Sequence, residues 1–135
     1  MVIKSFKGTF LSNMYGKGQA EIEYQAMKAS NFRDRQMILN APNGYEAKKL
    51  AKTIKIRSNW NDCKLNVMEV IVRKKFKDPE LMKRLKATAS HELVEGNYWH
   101  DNFWGDCTCN KCKNIKGENN LGKILMKIRD EIRNS

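Results

Sequence analysis

Glu21-Ile22-Glu23-Tyr24-Gln25-Ala26-Met27-Lys28-Ala29-Ser30-Asn31 contains no glycine and no proline and is rich in good helix formers. It reads as a helix. Glu21, Tyr24 and Lys28 then stand at i, i+3 and i+7, which share one helix face. An acid, a phenol and an amine on one face can serve a single pocket. The plainer alternative is a solvated Glu/Lys pair, and spacing by itself favours that alternative.

Upstream, Ser5 to Phe10 alternates polar and apolar residues and reads as a short strand. Leu11 to Gly18 follows as a loop broken by two glycines. Downstream, a short helix is expected after Asn31. Asn43-Gly44 marks a turn, and Tyr45 to Thr53 reads as helix again. Trp60, Cys63, Val67, Val70 and Ile71 recur at helical spacing and predict a long amphipathic helix through Phe76. Asp78-Pro79 is a boundary, with Asp suited to the cap and Pro to the first helical position. Leu81, Met82 and Leu85 give the next helix its apolar stripe. Thr88 to Gly117 is loop-rich and aromatic. Asn119 or Asn120 can cap a last helix whose apolar face is Leu121, Ile124, Leu125, Ile128 and Ile132. The expected fold is α+β, a mainly α-helical single domain over residues 1–135 with a small β element.

The chain has 26 Lys and Arg against 15 Asp and Glu, a formal charge of +11. Such an excess favours an anionic partner, either nucleic acid or a phosphorylated metabolite. The bland reading is a solvated basic surface. No apolar run is long enough for a membrane helix. The first residues lack an apolar core of signal-peptide length, so a cytoplasmic location is the expectation, with no membrane and no obligate protein partner. Of the four cysteines, Cys107, Cys109 and Cys112 lie within six residues. Close cysteines in a reducing compartment read as metal ligands or free thiols before disulfides. They can supply three zinc ligands, with Cys63, His100 or Asp106 as a fourth, although a second Cys-x-x-Cys pair is missing. Such a zinc would brace the loop; the chemistry itself calls for no cofactor.

Four segments, in order, resemble the NADAR (YbiA-like) family. Phe10-Leu11-Ser12-Asn13-Met14-Tyr15 is similar to its F-L-S-N-aromatic start, and Glu21 to Lys28 to its E-x-x-Y-Q-A-x-K helix. Leu93-Val94-Glu95 and Asp101-Asn102-Phe103-Trp104-Gly105 match L-V-E and D-x-x-W-G. Gly117 to Arg129 matches G-x-N-x-L-G-x-x-L-M-x-x-R. Trp60, Met68 and Lys75-Phe76 fall between them in the family's order. The resemblance covers nearly the whole chain.

It implies hydrolysis of the bond between a ribose and a nitrogen base. Two substrate classes go with the family: ADP-ribose attached to guanine in nucleic acid, and phosphorylated ribosylated intermediates of riboflavin synthesis. The charge tips the expectation towards the first. The non-enzymatic alternative is a nucleic-acid-binding module, which suits dispersed basic residues and loop aromatics.

Ribosyl–nitrogen cleavage builds positive charge at C1 and negative charge on the departing base. The resemblance implies that Glu21 acts as acid/base or charge stabiliser and Lys28 as nucleophile. A lysine in that role needs a depressed pKa. Asp101 is the third catalytic candidate, for ribose hydroxyls or water, against a role as loop cap. Tyr24, Trp60, Phe103 and Trp104 are candidates to cover sugar or base. Ser12 and Asn13 can hold phosphate or ribose or simply shape a turn, and Arg57 can clamp phosphate. Asn119 stands equally as substrate contact or helix cap. His91 and His100 receive no catalytic role. Where the family commonly carries His after the motif Glu, this chain has Ile22, which bears on substrate identity more than on the reaction.

Overall fold

The computed structural model describes residues 1–134. The chain forms two compact units, one of residues 7–75 and one that joins residues 1–6 to the chain from residue 76 onward. As the sequence implies, it is mainly helical with small β elements.

The 7–75 unit holds four helices: α1 (Gln19–Met27), α2 (Phe32–Leu39), α3 (Gly44–Ala51) and α4 (Trp60–Lys75). Helix α1 is central and packs on the other three. Ile22, Ala26, Ile38, Ala41, Ala47 and Ala51 form a buried cluster in which small side chains let the helices approach closely. Ile22 therefore faces the interior of this unit. Asn31 and Asn43 cap α2 and α3 by accepting from the backbone N–H groups of Asp34 (2.8 Å) and Glu46 (2.9 Å). Each such cap is worth about 1 kcal/mol.

Two expectations change. No strand covers Ser5 to Phe10: the extended residues are Val2–Lys4. Ser5 adopts a left-handed φ of 79°, which ends the strand, and Phe6 sinks fully into the interior. On α4 the buried side chains are Trp60, Met68, Ile71 and Val72, whereas Val70 is 66% exposed. At about 100° per residue, Val70 lies on roughly the opposite side of the helix from Met68 and Val72.

In the other unit, β1 (Val2–Lys4) pairs in parallel with β2 (Glu92–Val94), placing Ile3 opposite Leu93. A second parallel pair joins β3 (Gly96–Asn97) to β4 (Asp106–Cys107). Helix α5 (Pro79–Ala87) starts at Asp78, whose carboxylate accepts from the N–H groups of Glu80 and Leu81. Its Leu85 is fully buried, while Leu81 and Met82 are half-buried.

Helix α6 (Asn120–Arg133) buries Leu121, Ile124, Leu125 and Ile128 and packs on β2 and α5. Its approach to β2 is very close. A Cβ on Gly122 would stand 2.1 Å from the Leu93 carbonyl oxygen. Arg129, also buried, donates to Thr88 Oγ1 (3.0 Å) and to the His91 carbonyl (2.7 Å). No helix among the described residues is long and apolar enough to cross a membrane.

Candidate functional site

Helix α1 carries the candidate residues Glu21 and Tyr24, with Lys28 at its C-terminal end. Its N-terminal end follows Gly18, which holds a left-handed φ of 81°. Glu21 is almost fully buried and accepts a 2.7 Å hydrogen bond from Gln25 Nε2, one turn along. Space for its side chain exists because residue 44 is glycine. A Cβ at Gly44 would stand 3.1 Å from Glu21 Cβ and 2.5 Å from Met14 Sδ. The other Gln25 amide atom, Oε1, is buried without a hydrogen-bond partner. An orphaned buried acceptor beside a fixed carboxylate is an arrangement that a ligand donor would complete.

Towards the C-terminal end, Lys28 Nζ lies 5.4 Å from the centre of the Tyr24 ring. Tyr24 packs in turn on Trp60, with centroids 5.2 Å apart and planes at 56°. Burial lowers the Lys28 pKa below 10.5; Glu21 pulls it back up, and Lys48 and Lys64 push it further down. Desolvation therefore moves the amine towards its neutral, nucleophilic form. The end of α1 is fastened by the Arg57 N–H, which donates to the Lys28 carbonyl at 2.8 Å. Glu21, Tyr24, Lys28 and Trp60 thus gather around one helix, with Arg57 at its end. The Arg57 guanidinium donates to Asn59 Oδ1 (2.8 Å) and reaches the Met27 carbonyl (3.5 Å).

Ser12 and Asn13 take part in local structure. Ser12 Oγ accepts from the Met14 N–H (3.1 Å), and Asn13 Nδ2 donates to Met68 Sδ (3.3 Å). Their loop is anchored by Lys75, whose Nζ donates to the carbonyls of Phe10 (2.6 Å) and Ser12 (2.8 Å). Burial brings the Lys75 pKa down to about 8. Between about pH 8 and 10.5 the unfolded chain binds this proton and the folded chain does not, so folding gains stability as pH rises through that window. Lys75→Met is expected to cost about 1–3 kcal/mol at neutral pH by orphaning the two carbonyls. The deficit should widen towards pH 10, as urea midpoints measured at both pH values would show.

In the other unit, Asp101 Oδ1 accepts from the N–H groups of Phe103 (3.1 Å) and Trp104 (2.9 Å). The carboxylate thereby shapes the turn that presents the two rings, which meet edge to face at 4.8 Å. Asn119 is buried with a left-handed φ of 51° and makes no side-chain cap to α6. Its amide instead spans the end of β2, accepting from the Glu95 N–H (2.9 Å) and donating to the Leu93 carbonyl (2.8 Å).

Cys107, Cys109 and Cys112 come together with His100, their ligand atoms all within 4.8 Å of one another. Of the three residues considered as a fourth ligand, only His100 is in the group. Cys63 lies on α4, and Asp106 Oδ1 accepts from the Gly117 N–H (2.9 Å). Sequence reasoning placed Gln25 and Lys75 within the family pattern but gave neither a role. The i, i+4 Glu21/Gln25 spacing was a usable signal for the first. For Lys75 nothing local marks a lysine that folds inward.

The sequence pattern of the NADAR domain matches residues 11–133. An N-glycosidase of Nostoc punctiforme is 35% identical over 116 residues, covering 82% of this chain and 71% of that one. A riboflavin biosynthesis protein of Vibrio vulnificus is also 35% identical over 116 residues, covering 84% of this chain; the chain spans only 30% of that longer protein. The solution structure of Escherichia coli YbiA superposes with a TM-score of 0.77 at 27% identity, over 98% of this chain and 85% of that one. Family pattern, relatives and fold agree, and the chain belongs to the NADAR family.

Proposed function

We infer that this chain is an N-glycosidase that hydrolyses the bond between ribose C1 and a base nitrogen. The observation that carries the reading is the half-buried Lys28 amine, set over the Tyr24 ring on the helix that also holds the buried Glu21. The names of the NADAR relatives support the reaction class. In the proposed course, the neutral Lys28 amine attacks C1 and the C1–N bond breaks. The base leaves with its bonding pair and takes a proton, with Glu21 as the acid/base group. The sugar ring opens to a Schiff base on Nζ. Water then adds its oxygen to C1 and releases Lys28, so that the net change is one water across the glycosidic bond. Tyr24 and Trp60 would shield the sugar from solvent. Arg57, Ser12 and Asn13 would meet its phosphate or hydroxyls.

The substrate we favour is ADP-ribose on guanine in nucleic acid, because a charge of +11 suits a polyanion better than a free metabolite. A phosphorylated ribosylated intermediate of riboflavin synthesis is the second reading, favoured by the printed name of the Vibrio relative. Both substrates would be met in the cytoplasm.

Mass spectrometry of a guanine-ADP-ribosylated oligonucleotide, run beside the riboflavin-pathway intermediate, separates them. Release of unmodified oligonucleotide, weakening steeply with salt, is expected. Turnover of the small intermediate alone would move the function to metabolite clearance. Turnover of neither would leave a nucleic-acid-binding module. Glu21→Gln keeps a partner for Gln25 and should retain the fold by circular dichroism, yet lose about 10²–10⁴-fold in rate.

A further inference from the structure

The loop between β4 and α6 has little to hold it by burial. From Thr108 to Lys116 the only sizeable apolar side chain is Ile115, which is 54% exposed, and lysines 111, 113 and 116 face solvent. Cys107 and Cys112 are nevertheless buried, and all the cysteines are free thiols. His100 Nδ1 lies 3.3 Å from Cys109 Sγ, 3.4 Å from Cys112 Sγ and 4.0 Å from Cys107 Sγ. Tetrahedral zinc, with Zn–S near 2.3 Å and Zn–N near 2.0–2.1 Å, sets N···S at about 3.6 Å and S···S at about 3.8 Å. The observed distances fall on both sides of the first value.

The backbone is arranged to bring these donors together. His100 holds a left-handed φ of 68°, an uncommon conformation for histidine, and its N–H points at Cys107 Sγ (3.3 Å). Asn97 Oδ1 accepts from the N–H groups of Trp99 (3.2 Å) and Asp101 (3.1 Å), fixing the residues on both sides of His100. Asn102 Oδ1 accepts from the Cys107 N–H at 2.8 Å. A turn closes Cys109 to Cys112, with 3.1 Å between the Cys109 carbonyl oxygen and the Cys112 nitrogen.

We propose that His100, Cys107, Cys109 and Cys112 form a closed, four-ligand structural zinc site. Three thiolates and an imidazole select a soft-tolerant tetrahedral ion such as zinc over magnesium or calcium. Binding releases three thiol protons to the buffer and leaves one net negative charge among the neighbouring lysines. Four protein ligands leave no open position, so the ion braces and does not activate water. What it braces follows from the chain: His100 directly precedes Asp101, whose carboxylate sets the Phe103–Trp104 turn.

The test uses the full chain, purified from zinc-supplemented growth and in parallel loaded with cobalt(II). About one zinc per chain is expected by elemental mass spectrometry, with thiolate-to-cobalt charge-transfer absorption and the strong visible bands of a tetrahedral centre. Cys63→Ser should keep both signals and Cys112→Ser should lose them. Chelation should expose Lys111 and Lys113 to trypsin at least tenfold faster. A wild-type cobalt protein without thiolate charge transfer would overturn the proposal, as would metal content unchanged in Cys112→Ser. Should Cys112→Ser fail to fold, X-ray absorption at the zinc edge of the wild type decides. Three sulfurs and one nitrogen uphold the site; any oxygen-rich shell refutes it.

Discussion

Lys28→Ala is expected to lower kcat/KM by about 10²–10⁴-fold, the range spanned by removal of a group acting directly in bond cleavage. The fold should persist. The substitution gives up a cation–ring contact worth about 0.5–1 kcal/mol and at the same time removes the cost of burying an ammonium. The pH profile separates a nucleophile from a mere cation. The folded amine releases its proton below 10.5 because burial disfavours its charge. Wild-type activity should therefore climb on a limb displaced to lower pH than an exposed lysine would give. Lys28→Arg, charged at every accessible pH, should show neither activity nor that limb. Borohydride added during turnover should trap a sugar on Lys28, located by peptide mass. Full activity in Lys28→Ala would end the assignment. Loss of activity without a trapped adduct would give Lys28 an electrostatic role and leave Glu21 to stabilise the C1 cation directly.

Gly122→Ala carries the largest expected effect on stability. The added methyl would sit 2.1 Å from the Leu93 carbonyl oxygen and 2.4–2.5 Å from the Asn119 amide. Backbone cannot yield as a flexible side chain would, so α6 must lift off β2. Overpacking costs about 1–3 kcal/mol, and loss of the two Asn119 hydrogen bonds adds to it, for a total of roughly 3–5 kcal/mol. For a chain of this size that is a fall in Tm of roughly 10–20 °C. Lys123→Ala, on the exposed neighbour, should shift Tm little. Near-identical melting of Gly122→Ala and wild type would mean that α6 and β2 do not approach as described.

The helices were legible because their signals are local. Asn43-Gly44 and Asp78-Pro79 are punctuation that works without knowledge of the rest of the chain, and the Leu121–Ile128 face is periodic enough to declare itself. The strands were not, since β2, β3 and β4 are two or three residues long and sit in polar sequence, too short for alternation to register. Val70 shows the limit of periodicity: a valine at helical spacing still ends up outside when the stripe turns past it. At the site, the shared face of Tyr24 and Lys28 followed from spacing. What Asp101 and Asn119 hold did not, because their partners are backbone groups whose positions only the fold supplies. The choice of His100 over Cys63 and Asp106 likewise required a left-handed residue that no pattern reveals.

The parallel pairing of β1 with β2 has a consequence for how the chain is made. Val2–Lys4 are synthesised before their hydrogen-bonding partners, Glu92–Val94, which follow about ninety residues later. Until then the first strand has no edge to join, while the helices of residues 7–75 can already pack on α1 through contacts closer in sequence. Assembly is thus ordered in time: Val2–Lys4 wait for a strand made much later, and the residues that carry Glu21 and Lys28 acquire their surroundings before the pair forms.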